Sequence, residues 1–438
     1  VDNSAGVDTS DHEVNLKILL AGPRVRGELS EDARNALLAA MTDDVAHLVL
    51  ADNYNQTLAL SVAEASAARD IDADARFFRD LETKGKLDRA VEFLPPDAAM
   101  RTLAHDGKGL TRPELAVLLA YAKLDLDAEI LASDLPDDPA FASVLSGYFP
   151  RRATKAFPRE PQRHRLRREI VSTLLANRIV NLAGPVFVLR MRELSGASGA
   201  EVARAFVLAD GAFGLSALKS RIDVLDGKID AGLQIRLYGE IAGHLQLVTP
   251  WFLAHLPAGT DLGAAIALYR AGVEALRAGL TENDEDQARI ESLAGHVPDD
   301  LARDWVSLRR LALAPDIALL AHEASAAPDT VAALYFALGA RLGLDRLRML
   351  AAKLTLPEHW DRLALRRLLE SLSATQRGLA RILLKEGAHD APAAVDAWAA
   401  ARAASLERTR AFLSAMESSG ELSIAKLMLA SSQIQTLI

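Results

Sequence analysis

Residues 1–20 read VDNSAGVDTSDHEVNLKILL, a small polar run that passes into an amphipathic segment. Asn3, Ser4, Ala5 and Gly6 carry little side-chain bulk and suit a close approach to the backbone. Ser10 and Glu13 stand at capping-box spacing, in which each side chain satisfies a backbone N–H at the start of a helix. The pattern predicts a helix over 11–21, with Val14, Ile18 and Leu19 as its apolar stripe and Gly22-Pro23 as its end. A loop that feeds a helix N-terminus also suits an anion, because free N–H groups and the helix dipole point there. Ser10 is therefore either a cap alone or a cap that also meets a ligand. His12 is expected on the helix surface or in packing, with no assigned role.

Outward from this segment the chain reads as helix after helix. Ser30–Ala40 and Asp43–Arg69 form the next two, with Thr42 as a candidate cap, and a break is expected at Asp70 to Asp74. Asp52 to Gln56, on the second of these, reads either as an exposed polar turn of helix or as a surface facing a cleft. Thr111-Arg-Pro113-Glu114 is a second capping box with proline in the first turn, followed by the buried stripe Leu115, Leu118, Leu119 and Ala122. Asn177 and Asn181 share a helix face at i, i+4 and are expected to bond between helices, before Gly184-Pro185 breaks the helix. Helices over Asp396–Met416 and Leu422–Gln433, separated by Ser418-Ser419-Gly420, close the chain. Abundant Ala, Leu, Arg and Glu with only 5% aromatic residues favours helix over sheet.

The opening stretch resembles the asparagine, small-residue, glycine, valine and serine run of glutamate dehydrogenases, in the DNSAGVD-x-SDHEVN form of the large bacterial NAD-specific enzymes. LTRPELAVLLAYAK (110–123), LRREIVSTLLANRIVNLAGP (166–185) and the segment around 422–429 are similar to the C-terminal region of the same enzymes, whereas 280–387 carries little resemblance. Ala5-Gly6 replaces the paired glycines of the smaller hexameric members and matches the large type. The resemblance implies a mainly α chain, in which a multi-helix C-terminal domain over 73–438, of one or two subdomains, follows a short remnant of an α/β dinucleotide-binding catalytic domain over 1–72. It implies that Asn3 lies near the nicotinamide ribose, that Ser10 bonds the side-chain carboxylate of glutamate, and that Val7 lines the apolar part of that pocket. The reaction implied is oxidation of L-glutamate with NAD and water to 2-oxoglutarate, ammonium and NADH.

The parts that such chemistry needs are not all here. No glycine-rich turn follows a strand-like run, and the nearest candidates, Gly196 to Gly199 and Gly211 to Gly214, sit in helical sequence. The family's catalytic lysine and aspartate motifs have no counterpart. The chain is therefore expected to be a fragment, inactive alone, with no catalytic residue of its own, NAD held mainly by upstream residues, and the upstream catalytic domain as its partner. The other reading is a noncatalytic helical interaction or regulatory module in which the opening serves only as a cap.

Charge and composition bound the rest. With 50 basic and 59 acidic side chains the net charge is -9, which argues against a general nucleic-acid binder. The strongest basic run holds Arg151, Arg152, Lys155, Arg159, Arg163, Arg165, Arg167 and Arg168, with Phe157 its one interleaved aromatic residue. It reads as salt bridges to neighbouring helices or subunits, or as an anion or effector site at Arg163, Arg165 and Arg167. Without cysteine there is neither disulfide nor cysteine metal site, and Glu282 to Asp286 lacks the ligand alternation of a calcium loop and reads as a solvated connection. No metal is expected. The apolar stretch 245–268 is interrupted by Pro250, His255, Pro257 and Asp261, so no membrane span is expected and the stretch reads as buried helices joined by a turn. A cytoplasmic homo-oligomer completes the expectation.

Overall fold

The computed structural model describes residues 2–257, 259–352, 354, 356, 359–387, 391–418 and 422–437, and among them every regular element is helical. The first thirteen helices are α1 (Asp2–Val25), α2 (Glu31–Ala39), α3 (Thr42–Thr83), α4 (Asp97–His105), α5 (Arg112–Leu131), α6 (Ala142–Gly147), α7 (Arg151–Ala156), α8 (Glu160–Arg163), α9 (Arg167–Ala183), α10 (Phe187–Ser195), α11 (Gly199–Phe213), α12 (Leu215–Asp223) and α13 (Ala231–His255). Ten more follow: α14 (Leu262–Gly279), α15 (Asp284–Glu291), α16 (Asp299–Leu311), α17 (Ala314–Ala324), α18 (Pro328–Leu342), α19 (Leu344–Ala352), α20 (His359–Lys385), α21 (Ala391–Ala401), α22 (Ala403–Ser418) and α23 (Ile424–Gln435).

Two compact units result. The first holds residues 1–266 and 292–305, the second 267–291 and 306–438, so the division between these units runs through α14 and α16. In the first unit α5 lies along α9, α11 along α13, and α3 touches α1, α4, α5 and α9. Its core includes Leu118, Ile130, Leu175, Ile179, Phe206, Leu237, Ile241 and Leu245, all fully buried. In the second, α18 meets α17, α20 and α21, and α20 meets α23. There a charged pair lies inside: Arg377 donates to Asp316 at 2.8 Å, and the Tyr335 hydroxyl donates to the other oxygen of Asp316 at 2.6 Å.

Several expected caps form as the sequence dictates. The Ser30 hydroxyl accepts the Ala33 N–H at 3.2 Å, and the Thr111 N–H donates to Glu114 at 2.7 Å, closing the box at the start of α5. Gly184, at φ +94°, ends α9, and α10 leaves it at 90°. No single helix among the described residues is long and apolar enough to cross a membrane; α9 and α10 pass that test only as this bent pair, and their apolar residues are buried in the first unit.

Other expectations fail for identifiable reasons. The loop expected before residue 11 is helix: α1 begins at Asp2, Ser10 lies in its interior, and no cap forms there. Gly6 has no positive φ, so nothing forces a turn, and the backbone ladder supplies the bonds that Ser10 was expected to make. Pro23 also sits inside α1, within its last turn, where its missing N–H forgoes the bond to the Leu19 carbonyl and the helix runs on for only two more residues. Val14 is exposed, and the buried stripe is His12, Leu16, Leu19 and Leu20. The break at 70–74 is likewise absent, and Thr42 bonds back to the Ala39 carbonyl instead of capping. Segment 70–74 contains no glycine or proline, and Asp70 is satisfied by Arg190 at 2.7 Å and Ser66 at 2.7 Å, so the helix runs on to Thr83. At about 1.5 Å per residue the 42 residues of α3 span roughly 63 Å. The helix expected over 396–416 is divided at Arg402 into α21 and α22, while residues 419–421 of the expected separator lie outside the described residues.

Candidate functional site

In a helix that begins at Asp2, positions 3, 7, 10 and 14 fall at i, i+4, i+7 and i+11 and share one face. Val7 is 61% exposed and Val14 49%, Ser10 is exposed between them, and Val25, 88% exposed, continues the stripe. Asn3 belongs to the same register; its side chain is outside the described residues. Val7 and Ser10 thus share an open face, but by helical register rather than by a loop and cap.

The opposite face of α1 is anchored. His12, 2% exposed, stacks on Tyr148 with ring centroids 4.4 Å apart. The Asn15 side chain donates to the Tyr148 hydroxyl at 2.9 Å, and the Asn15 carbonyl accepts from His164 Nε2 at 3.1 Å. His164 Nδ1 accepts the Leu166 N–H, which fixes its tautomer with the proton on Nε2. Burial pulls both imidazoles below their usual range, so both are neutral at neutral pH.

A group of ionisable side chains gathers on this anchored face, around the second and third turns of α1. Asp8, His12 and Asp52 each place an oxygen or ring nitrogen within 4.8 Å of the others, and His12 Nε2 stands 3.7 Å from Asp8. Burial, then the neighbouring Asp8, push the Asp52 carboxyl up to about 6. Lys123, from α5, lies close enough for its charge to oppose that rise, while burial pulls its own ammonium down to about 8. No metal is expected from the sequence, and no contiguous motif announces this grouping. Only the i, i+4 spacing of Asp8 and His12 was visible; nothing in the sequence ties them to Asp52, Lys123 or Tyr148.

The segment 52–56 is not an exposed turn. All five residues are half-buried, Asp52 faces Asp8, and Asn55 accepts from Lys219 at 2.9 Å. The basic run is dispersed among separate carboxylates: Arg152 pairs with Asp44 at 3.2 Å, Arg163 with Glu160 at 3.3 Å, and Arg167 with Asp137 at 2.8 Å, while Arg168 also pairs with Asp137 and Arg165 is exposed. Glu160 also accepts from Arg26 at 2.8 Å, which ties α8 to the end of α1.

Elsewhere, Asn181 leaves its Oδ1 buried without a bond, and the interhelical bonds come from Arg178, which reaches Asp210 and Ser216. The glycines at 196 and 214 cap α10 and α11 at positive φ rather than opening a phosphate turn. The acidic run is a helix start: Asp286 and Asn283 exchange backbone-to-side-chain bonds, and Asp286 pairs with Arg310 at 2.8 Å. Of the four tryptophans, Trp251 and Trp398 are buried, Trp305 is half-buried and Trp360 is exposed.

The family model described as "Bacterial NAD-glutamate dehydrogenase, catalytic domain" matches residues 1–63, and that described as "Glutamate dehydrogenase, C-terminal" matches 107–436. An NAD-specific glutamate dehydrogenase of Halomonas elongata is 35% identical over 407 residues, 91% of this chain and 25% of the relative. One of Pseudomonas aeruginosa is 37% identical over 422 residues, 94% of this chain and 26% of the relative, and one of Mycobacterium tuberculosis is 35% identical over 445 residues, 99% and 27%. The chain thus spans about a quarter of the length of these relatives. By the match over 107–436, which takes in most of its length, the chain belongs to the glutamate dehydrogenase C-terminal family.

Proposed function

We propose that the chain acts as the C-terminal part of an NAD-dependent glutamate dehydrogenase, converting L-glutamate, NAD and water to 2-oxoglutarate, ammonium and NADH with release of a proton. The observation that carries the reading is the exposed stripe of α1: Val7 and Ser10 share one open face, in register with position 3, in the segment matched by the catalytic-domain model. On this reading Ser10 donates one directed hydrogen bond to the side-chain carboxylate of glutamate, Val7 covers the substrate's methylenes, and Asn3 meets the nicotinamide ribose. A neutral hydroxyl orients the carboxylate and leaves its neutralisation to a cation outside this chain.

NAD, when bound, supplies the hydride acceptor. On this reading its pyrophosphate is held at a strand-turn-helix formed by upstream residues. Residues 1–72 then complete the catalytic domain, and 73–438 serve assembly or regulation in a cytoplasmic homo-oligomer. Arg163, Arg165 and Arg167 remain the effector candidates, though two of them are engaged with carboxylates.

The test compares the complete polypeptide with residues 1–438 alone, following NADH formation from glutamate. The complete protein is expected to turn over and the 438-residue chain to give none. Turnover by the isolated chain would overturn the division of labour, and a complete protein inactive on glutamate would overturn the reaction.

A further inference from the structure

We propose that Asp52 is a positioning residue for the exposed stripe of α1: its carboxyl shares a proton with Asp8 and so fixes the turn that carries Val7 and Ser10. This rests on the pocket reading of Val7 and Ser10 above.

Asp8 lies between those two residues in sequence, and with His12 at i, i+4 it projects to the anchored side of the helix. The 4.8 Å grouping therefore acts on the same turn of α1 as the pocket residues, from behind. Two carboxylates this close in half-buried surroundings repel unless a proton or a cation lies between them. A carboxyl O–H donating to a carboxylate is one of the stronger hydrogen bonds a protein makes, and it joins α3 to α1 at one point.

The groups facing the pair leave few other sources of positive charge. His12 is buried, stacked on Tyr148 and held neutral. Tyr148 keeps its proton, since burial pushes its phenol up to about 12. His164 reaches only as far as the Asn15 carbonyl, and Asp11, on α1, adds negative charge. Lys123 is the cation that faces Asp52, and its ammonium is itself weakened by burial. The shared proton and Lys123 therefore divide the compensation. The proton holds the pair below about pH 6, and Lys123 opposes the repulsion once Asp52 has ionised.

The test is made in the complete enzyme with Asp52→Asn, Asp52→Ala and Ser10→Ala, measuring KM for glutamate and kcat from pH 5 to 8. Asn keeps an N–H donor toward Asp8 but cannot titrate, so Asp52→Asn is expected to retain KM within about twofold and to flatten its pH dependence. Asp52→Ala is expected to raise KM by about tenfold with kcat changed by less than about threefold. Wild-type KM in Asp52→Ala, or equal losses in both Asp52 variants, overturns the proposal; if the alanine variant fails to fold, the pH profile of Asp52→Asn still decides it. A KM lost on chelation and restored by zinc would put a metal where we place the proton, and would also overturn it. If Ser10→Ala raises KM and Asp52→Ala does not, this inference alone fails; if Ser10→Ala leaves KM unchanged, the pocket reading itself fails.

Discussion

The imidazole of His12 lies flat against the phenol ring of Tyr148, with centroids 4.4 Å apart and planes inclined by 19°, and Asn15 one turn on bonds the same phenol's hydroxyl at 2.9 Å. One aromatic residue thus holds α1 at two points. Tyr148→Phe keeps the stack and loses the bond, so it is expected to cost about 1 kcal/mol. Tyr148→Ala loses both and is expected to cost about 3 kcal/mol. Urea unfolding midpoints check the pair; equal losses would show that the ring does not carry the contact.

Gly109 precedes α5 at a place where the chain presses on the middle of α3. A Cβ there would lie 2.2 Å from the backbone carbon of Ala67 and 2.4 Å from its Cβ, distances that only a backbone shift can relieve. Gly109→Ala is expected to destabilise by about 3 kcal/mol, read from the same denaturant titration. A neutral effect would mean that α3 and the start of α5 do not approach this closely.

Asp74, 2% exposed, is a carboxyl with one oxygen buried and unbonded. Burial, reinforced by Asp70, pushes it up to about 8 against the pull of Arg190 and Arg76. Because the folded value lies above the unfolded one, the folded state holds its proton more tightly. That stability is complete below about pH 4 and is lost as pH rises through about 8. Asp74→Asn is expected to leave stability nearly unchanged at pH 4 and to raise it by several kcal/mol at pH 9. Thermal melts across that range test it, and a variant less stable than the parent at pH 9 would contradict it.

The second unit has its own internal charge. Asp316 accepts from both Arg377 and Tyr335, so Asp316→Ala leaves a buried guanidinium with one carboxylate fewer and a buried phenol without that acceptor. A loss of about 3–5 kcal/mol is expected. Hydrogen exchange in α17, α18 and α20 localises it, and unchanged protection there would contradict the role of this network.

Helicity was legible because proline, glycine and capping residues punctuate the chain openly: Ser30, Thr111 and Gly184 act where the sequence places them. The extents of α1 and α3 were not. Ser10-x-x-Glu13 has the spacing of a cap in any context, and only the continuing backbone ladder shows that none is needed. The polar residues at 70–74 look like a break until Arg190, 120 residues away, is seen to satisfy Asp70. The same limit applies to the site. Val7 and Ser10 are proposed from a motif contiguous in sequence, whereas Asp52, Lys123 and Tyr148 meet α1 only through tertiary packing, which leaves no local pattern.

The central claim is that the open stripe of α1 meets glutamate. Steady-state kinetics of Ser10→Ala in the complete enzyme test it most directly. Loss of one directed bond to the substrate carboxylate predicts a glutamate KM raised by about tenfold or more, with KM for NAD little changed. Unchanged glutamate KM in a folded, NAD-binding variant would contradict the account.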